Sequence, residues 1–349
     1  MRPLNEYFLW SMVDDISSEN VSTVAPFDGE IVDVYAGWST AITSAPNVIT
    51  VTTPSGALGT TMSLATGTAR RATMSIEHDD ANRVVAAGDI ITLDTSGAGS
   101  AGGECHYCVV VRATSADYNP GDVILSWSGS VIHDVQPSRM FGVAPCDLEV
   151  VEGWCVADAA PDASTTLNLV RDGGGVGELL MSWEVATGAV LHSFNASSPK
   201  ATVKQGENLR TLPENDSATS GGIYSVVLRC KQVGKAMAMS EYVVPVRNSD
   251  IHLGSLVNVP IPDTGRIVAI RGCPTKPITL ADDTMEFGVN GGSAFASTVF
   301  PLSGTAQGLV ASSLGGNTTI TKDDYLTADS LAGTSGSDIH GCFSVVVAR

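Results

Sequence analysis

Apolar residues in this chain recur either at every second position or in short unbroken runs, and no stretch sustains the spacing of a capped amphipathic helix. Ile49-Thr50-Val51-Thr52 and Met285-Glu286-Phe287-Gly288-Val289 alternate, so every second side chain can face a core. Gly-rich pieces from Gly97 to Gly103, Gly173 to Gly177 and Gly288 to Gly292 supply turns between such strands. The pattern predicts an all-β protein.

The same pattern repeats three times. An aromatic, a small thiol or hydroxyl residue and an aliphatic run occur as Tyr107-Cys108-Val109-Val110-Val111, Tyr224-Ser225-Val226-Val227-Leu228 and Phe343-Ser344-Val345-Val346-Val347. Upstream of each lies a strand, a turn and a second strand, the turn residue being Gly88, Gly206 or Asp323 with an acid after it. Turn and aromatic are 19, 18 and 20 residues apart (107 minus 88, 224 minus 206, 343 minus 323). The openings agree as well: Val24-Ala25-Pro26-Phe27-Asp28 matches Val143-Ala144-Pro145-Cys146-Asp147, and Val259-Pro260-Ile261-Pro262-Asp263 is a looser third copy.

At 349 residues the chain exceeds one ordinary core, and a third of it has the size of a β-sandwich. The expected organisation is three tandem related β-sandwich domains with hairpin and Greek-key-like connections. They are placed at residues 24–113, 137–230 and 251–349, after an N-terminal arm at 1–23 and joined by linkers at 114–136 and 231–250. Both linkers carry strand-like pieces, Val123-Ile124-Leu125 and Tyr242-Val243-Val244, and are expected to pack against a neighbour. Within the arm, Tyr7, Phe8, Leu9, Trp10 and Met12 form a dense apolar run in a chain with only 6% aromatic residues. Left wet it would be costly, so it must dock on its own first domain or insert into a partner; these five residues are the candidate partner-binding site.

Charge narrows the function classes. With Lys+Arg 19 against Asp+Glu 37 the formal net charge is -18, so no basic stripe exists to neutralise phosphates and direct nucleic-acid binding is not expected. The short run from Tyr7 to Val13 is followed by Asp14 and Asp15, so neither a secretory signal nor a membrane span is read here, and synthesis in a reducing cytoplasm is expected. The 7 cysteines are scattered and odd in number, which reads as free thiols.

Candidate chemistry is sparse. Cys105-His106-Tyr107-Cys108 has two thiols three apart, but they fall on a strand, where they point to opposite faces, and no second pair completes a tetrahedral zinc set. Glu77-His78-Asp79-Asp80, Asp14-Asp15, Asp282-Asp283 and Asp323-Asp324 lack the oxygen spacing of a calcium loop and read as turn residues. No nucleophile elbow, phosphate loop or two-histidine zinc helix occurs. The sequence therefore assigns no catalytic, cofactor-binding or metal residues and no cofactor, and an enzyme is not expected.

Pro26-Phe27-Asp28-Gly29-Glu30-Ile31-Val32, with the hairpin Ala87-Gly88-Asp89-Ile90-Ile91, resembles domains of the capsid decoration (cement) and head-fibre proteins of tailed bacteriophages. The resemblance is best in the first copy, weaker in the third and loosest in the second, which lacks the glycine after Asp147. It implies a structural virion protein on the exterior of an icosahedral head, a homo-oligomer such as a trimer, with the major capsid protein as partner. Two other readings stay open: a tail-associated fibre or receptor-binding protein that reads host carbohydrate, and a bacterial adhesin or surface-layer module. Exposed aromatics clustered at one domain tip would mark the carbohydrate reader, and an apolar patch near the N-terminus the cement protein.

Overall fold

The computed structural model describes residues 2–67, 71–96, 103–131, 139–172, 178–188, 190–195, 201–214, 220–234, 236–248, 251, 254–274, 278, 282–300, 310–311, 313–315, 318–331 and 339–349. Among these the strands form six antiparallel sheets, two for each repeat, and the helical content is one 3-10 turn at Ala81–Arg83. The protein is all-β.

One strand order serves all three repeats. In the first sheet of each, the last strand lies between the first and the third: Cys105–Ala113 between Glu6–Val13 and Gly29–Trp38, Ile223–Gln232 between Asp122–Val131 and Leu148–Ala157, Gly341–Ala348 between Glu241–Asn248 and Gly265–Pro274. In the second sheet the penultimate strand lies between the second and the fourth: Ile90–Ser96 between Val21–Val24 and Asn47–Thr53, Asn208–Glu214 between Arg139–Val143 and Thr165–Asp172, Tyr325–Leu331 between Leu256–Pro260 and Asp283–Val289.

This corrects the segment boundaries read from the sequence. The supposed arm and both supposed linkers each contain a full first strand, Glu6–Val13, Asp122–Val131 and Glu241–Asn248, hydrogen-bonded to the last strand of the repeat that follows it in sequence. Their apolar runs are legible in the sequence, but the partner of each strand lies about 100 residues downstream, beyond any local pattern.

Register explains the repeated motif. Each aromatic of the last strand stands opposite a small residue of the third: Tyr107 opposite Ala36, Tyr224 opposite Ala157, Phe343 opposite Gly272. In two of the repeats a glycine makes the room: a Cβ on Gly272 would collide with the Phe343 ring, and one on Gly129 of the first strand with the Tyr224 ring. The third strand carries one extra residue against the last in every repeat, at Val32, Val151 and Val268, a bulge that bends the sheet.

The turn residues Gly88, Gly206 and Asp323 have φ of 88°, 96° and 73°, the left-handed region that favours glycine. In each copy the acid after the turn accepts from the backbone three residues earlier: Ala86 N to Asp89 Oδ2, Lys204 N to Glu207 Oε2 and Thr321 N to Asp324 Oδ2, at 2.8, 2.8 and 2.7 Å. The turn is then tied to the opening motif. Ala87 N and Gln205 N donate to Asp28 and Asp147, while Lys322 N donates to Thr264 Oγ1. Backbone bonds match Ala25 and Ala144 with Ile261, so the third opening is aligned one residue later than its sequence reads. Thr264, not Asp263, holds the place of Asp28 and Asp147, which frees Asp263 for a different contact.

The repeats close on themselves. The second strand of repeat one (Val21–Val24) packs on the last and third strands of repeat two; that of repeat two (Arg139–Val143) packs on those of repeat three; that of repeat three (Leu256–Pro260) packs on those of repeat one. The arrangement is a head-to-tail ring with pseudo-threefold symmetry. Each first sheet is therefore covered on both faces, by its own second sheet and by the neighbouring repeat. This is why the last strands read as unbroken aliphatic runs and are buried almost throughout.

Candidate functional site at the junction of the first strands

The three first strands are the edges of their sheets, and their free sides converge where the repeats meet. Register makes their residues equivalent, since Trp10, Ser128 and Pro245 stand opposite Cys108, Ser225 and Ser344. Counting back along each strand, Glu6, Ile124 and Glu241 are equivalent, as are Leu4, Asp122 and Met239. All six line one cavity of about 60 Å³ at the end of the junction nearest the turns. A smaller space of about 20 Å³ lies at the other end, against Trp10, Met12, His106, Trp127, Pro245 and Arg247.

An open strand edge leaves backbone N–H groups without partners, and here side chains of the adjacent repeat supply them. Trp10 N donates to Ser126 Oγ at 2.6 Å and Met12 N to Ser128 Oγ at 3.1 Å. Ser128 Oγ is also 2.8 Å from Ser225 Oγ. On the third edge, Arg247 N donates to His106 Nε2 at 3.3 Å. The serines that interrupt the apolar alternation of Asp122–Val131 thus face the neighbouring edge.

An ionic cluster fastens repeat three to repeat one beside the cavity. Arg2 donates to Glu6 Oε2 at 2.9 Å, to the Tyr35 hydroxyl at 2.5 Å, to the Pro262 carbonyl at 2.7 Å and to Asp33. Asp263, buried, accepts from the Arg2 amide at 3.0 Å and lies 3.3 Å from Arg349 Nε. Burial alone would raise the Asp33 carboxyl, but hydrogen bonds from Ser75 and Arg2 outweigh it and hold the group below its ordinary range. Arg349 also lies over the rings of Phe8 and Tyr242, 5.1 and 5.4 Å from their centroids.

At the far end His106 is buried and stays neutral. Desolvation, with the nearby Arg247 charge, pushes it down to about 3, against the opposing pull of Asp14. Arg247 is held by Asp14 at 2.7 Å.

The candidate partner-binding residues are all inside this molecule. Tyr7, Phe8, Leu9, Trp10 and Met12 are each no more than 6% exposed. Tyr7 and Leu9 belong to the core of repeat one, whereas Phe8 and Trp10 join the apolar cluster of repeat three. The run is not an arm offered to a partner, because the strand it forms has one face in each of two repeats. Sequence reading missed the ionic cluster as well, since Arg2, Asp33 and Asp263 share no motif.

The remaining candidates have structural places. Cys105 lies in the core of repeat one and Cys108 in the cluster shared with repeat three, both fully buried, and burial pushes both thiols up. Asp80 caps the 3-10 turn through Asn82 N at 2.9 Å, and Asp15 accepts from Ser17 N at 2.9 Å. Among the described residues no group of three or more His, Cys, Asp or Glu converges as metal ligands would.

No family model and no curated protein matches the chain. Among solved structures, one from Sulfolobus turreted icosahedral virus shares 7% identity with a TM-score of 0.22, covering 65% of this chain and 91% of that one. A triple jelly-roll structure, described with turret assembly in an archaeal virus, shares 10% identity at a TM-score of 0.19 over 94% of this chain and 82% of that one. The tandem CBM22 domains of Xyn10C from Paenibacillus barcinonensis share 12% identity at 0.19, over 94% and 100%. At these scores and identities the similarities assign neither family nor function.

Proposed function

We propose that the chain is a structural component of a virion that binds the outer surface of an icosahedral shell and bridges subunits of its major capsid protein. The observation that carries the reading is the ring: three equivalent sandwiches about one line, with three like turns at one end, match a shell site where three subunits meet. The opening motif and hairpin, which resemble decoration and head-fibre domains, agree with it. So does the surface at that end, where Leu4 and Met239 are exposed at the cavity mouth, 46% and 56%. A protein that binds only the assembled lattice stabilises it by mass action, by about 2.7 kcal/mol at a hundredfold excess over Kd. The reading assigns no catalysis; among the described groups Cys105 and Cys108 lie in apolar clusters, Asp80 caps a turn, and Arg2, Asp33 and Asp263 form a clasp.

The carbohydrate-reading alternative needs aromatic rings presented to solvent. All five tryptophans are buried: Trp10, Trp38, Trp127, Trp154 and Trp183. None of these five rings is presented to a sugar, while Tyr118 and Tyr325 are half-buried.

The test uses shells assembled from the major capsid protein of the same genome without this chain. Added protein is expected to co-sediment saturably and to raise the temperature of shell disruption. Protein that stays in the supernatant at micromolar concentration overturns the reading.

A further inference from the structure

The three contacts between repeats are versions of one heterologous interface. In each, a second strand lies across the outer face of a last strand and a third strand. At the seam between repeats two and three, Ser344 Oγ donates to the Val143 carbonyl at 2.6 Å, and Val143 packs with Cys273 and Cys342. At the seam between repeats three and one, Asn258 Nδ2 donates to the Trp38 carbonyl at 2.7 Å. There Gly37 lets the backbones approach: a Cβ on it would stand 2.6 Å from the Asn258 carbonyl oxygen. At the seam between repeats one and two, Val21 and Val24 share a cluster with Trp154, Val156, Ile223 and Val227.

A heterologous interface used three times either closes a ring or, left open, adds subunits without end. Here covalent connection holds the complementary faces at high effective concentration, so closure within one chain wins over association between chains.

We propose that each seam is a docking surface for the matching strand of a second copy of this chain, satisfied internally, so that the protein is a single-chain replacement for a homotrimer and acts as a monomer. Opening one seam leaves a free second strand on one repeat and a free sheet face on another, each complementary to its counterpart in a second copy. The inference concerns only how the repeats pair and holds whatever surface the protein binds.

Complementation between full-length variants tests it. Gly37→Val damages the sheet face of repeat one and leaves the strand of repeat three intact; Asn258→Lys does the reverse. Each alone, like the wild type, is expected to sediment with the mass of one chain, whereas an equimolar mixture at tens of micromolar forms a species of twice that mass. Val143→Arg mixed with Ser344→Arg repeats the design at another seam and covers the case where one of the first pair fails to fold, which loss of the strand signal in circular dichroism would reveal. Folded mixtures that stay at the mass of one chain, or a wild-type chain that runs at three times its own mass, overturn the proposal.

Discussion

Arg2 and Asp263 lie 261 residues apart in sequence, and the amide of the first meets the carboxylate of the second at 3.0 Å. Arg349 reaches the same carboxylate at 3.3 Å, so one buried acid gathers residues from near both limits of the described chain and fastens repeat three to repeat one. Removing it leaves the Arg349 guanidinium, itself 6% exposed, buried without that partner. Asp263→Ala is expected to lower unfolding free energy by about 3 kcal/mol, the usual cost of breaking a buried pair from one side. Urea denaturation measures it, and a change under about 1 kcal/mol would show that the clasp carries little.

The serines at the junction make a second expectation. Ser126→Ala takes the acceptor from Trp10 N at a position with no room for bulk water, since Ser126 and Trp10 are both buried. An orphaned buried donor costs about 1–3 kcal/mol. Ser17→Ala, on a half-exposed turn, is the matched control and should shift the midpoint by less than half as much.

These two contacts show where the sequence stopped speaking. The turns at Gly88, Gly206 and Asp323 were legible because a local geometry demands left-handed backbone and a following acid, and both survive in all three copies. The aliphatic run Val109-Val110-Val111 likewise announced a buried strand. What it did not announce was the owner of the second covering layer: Val110 faces repeat three while Val109 and Val111 face their own core. Composition is the same for either burial. The apolar run from Tyr7 to Met12 misled for that reason, its demand for cover being met by two repeats at once rather than by a partner. The slipped third opening has a different origin, because Val259 and Asp263 imitate Val24 and Asp28 one residue out of step, while Pro262 itself stands in register with Pro26 and Pro145.

His106 gives the molecule a pH dependence whose sign follows from burial. Its folded value of about 3 lies below the ordinary 6.5, so between these values the unfolded chain holds a proton that the folded chain refuses. Stability must therefore rise with pH across that window and fall on acidification, by at most about 1.4 kcal/mol per pH unit from this group. His106→Gln keeps an acceptor for the Arg247 amide and removes the titration. Thermal melts of both proteins between pH 4.5 and 6.5 should show a shallower slope in the variant; parallel slopes would mean that the ring is protonated without loss of the seam.

The third turn departs from the first two in using a side chain where they use none. Asp323 adopts φ 73°, a conformation that costs most residues about 1 kcal/mol or more and aspartate somewhat less, while glycine adopts it freely. Its carboxylate accepts a bond from Thr73 Oγ1 at 3.2 Å across to repeat one, at an exposed place where water competes. The hydrogen bonds that define the turn belong to Asp324 and to the backbone of Asp323, and a glycine leaves them intact. Relief of strain should then exceed the lost surface bond, although glycine also gives the unfolded chain more freedom to lose. Asp323→Gly is expected to raise the unfolding free energy by about 0.5 kcal/mol, and the reverse change, Gly206→Asp, to lower it by about as much. If Asp323→Gly instead destabilises by more than about 1 kcal/mol, the contact with Thr73 contributes more to closing repeat three on repeat one than the exposed geometry allows.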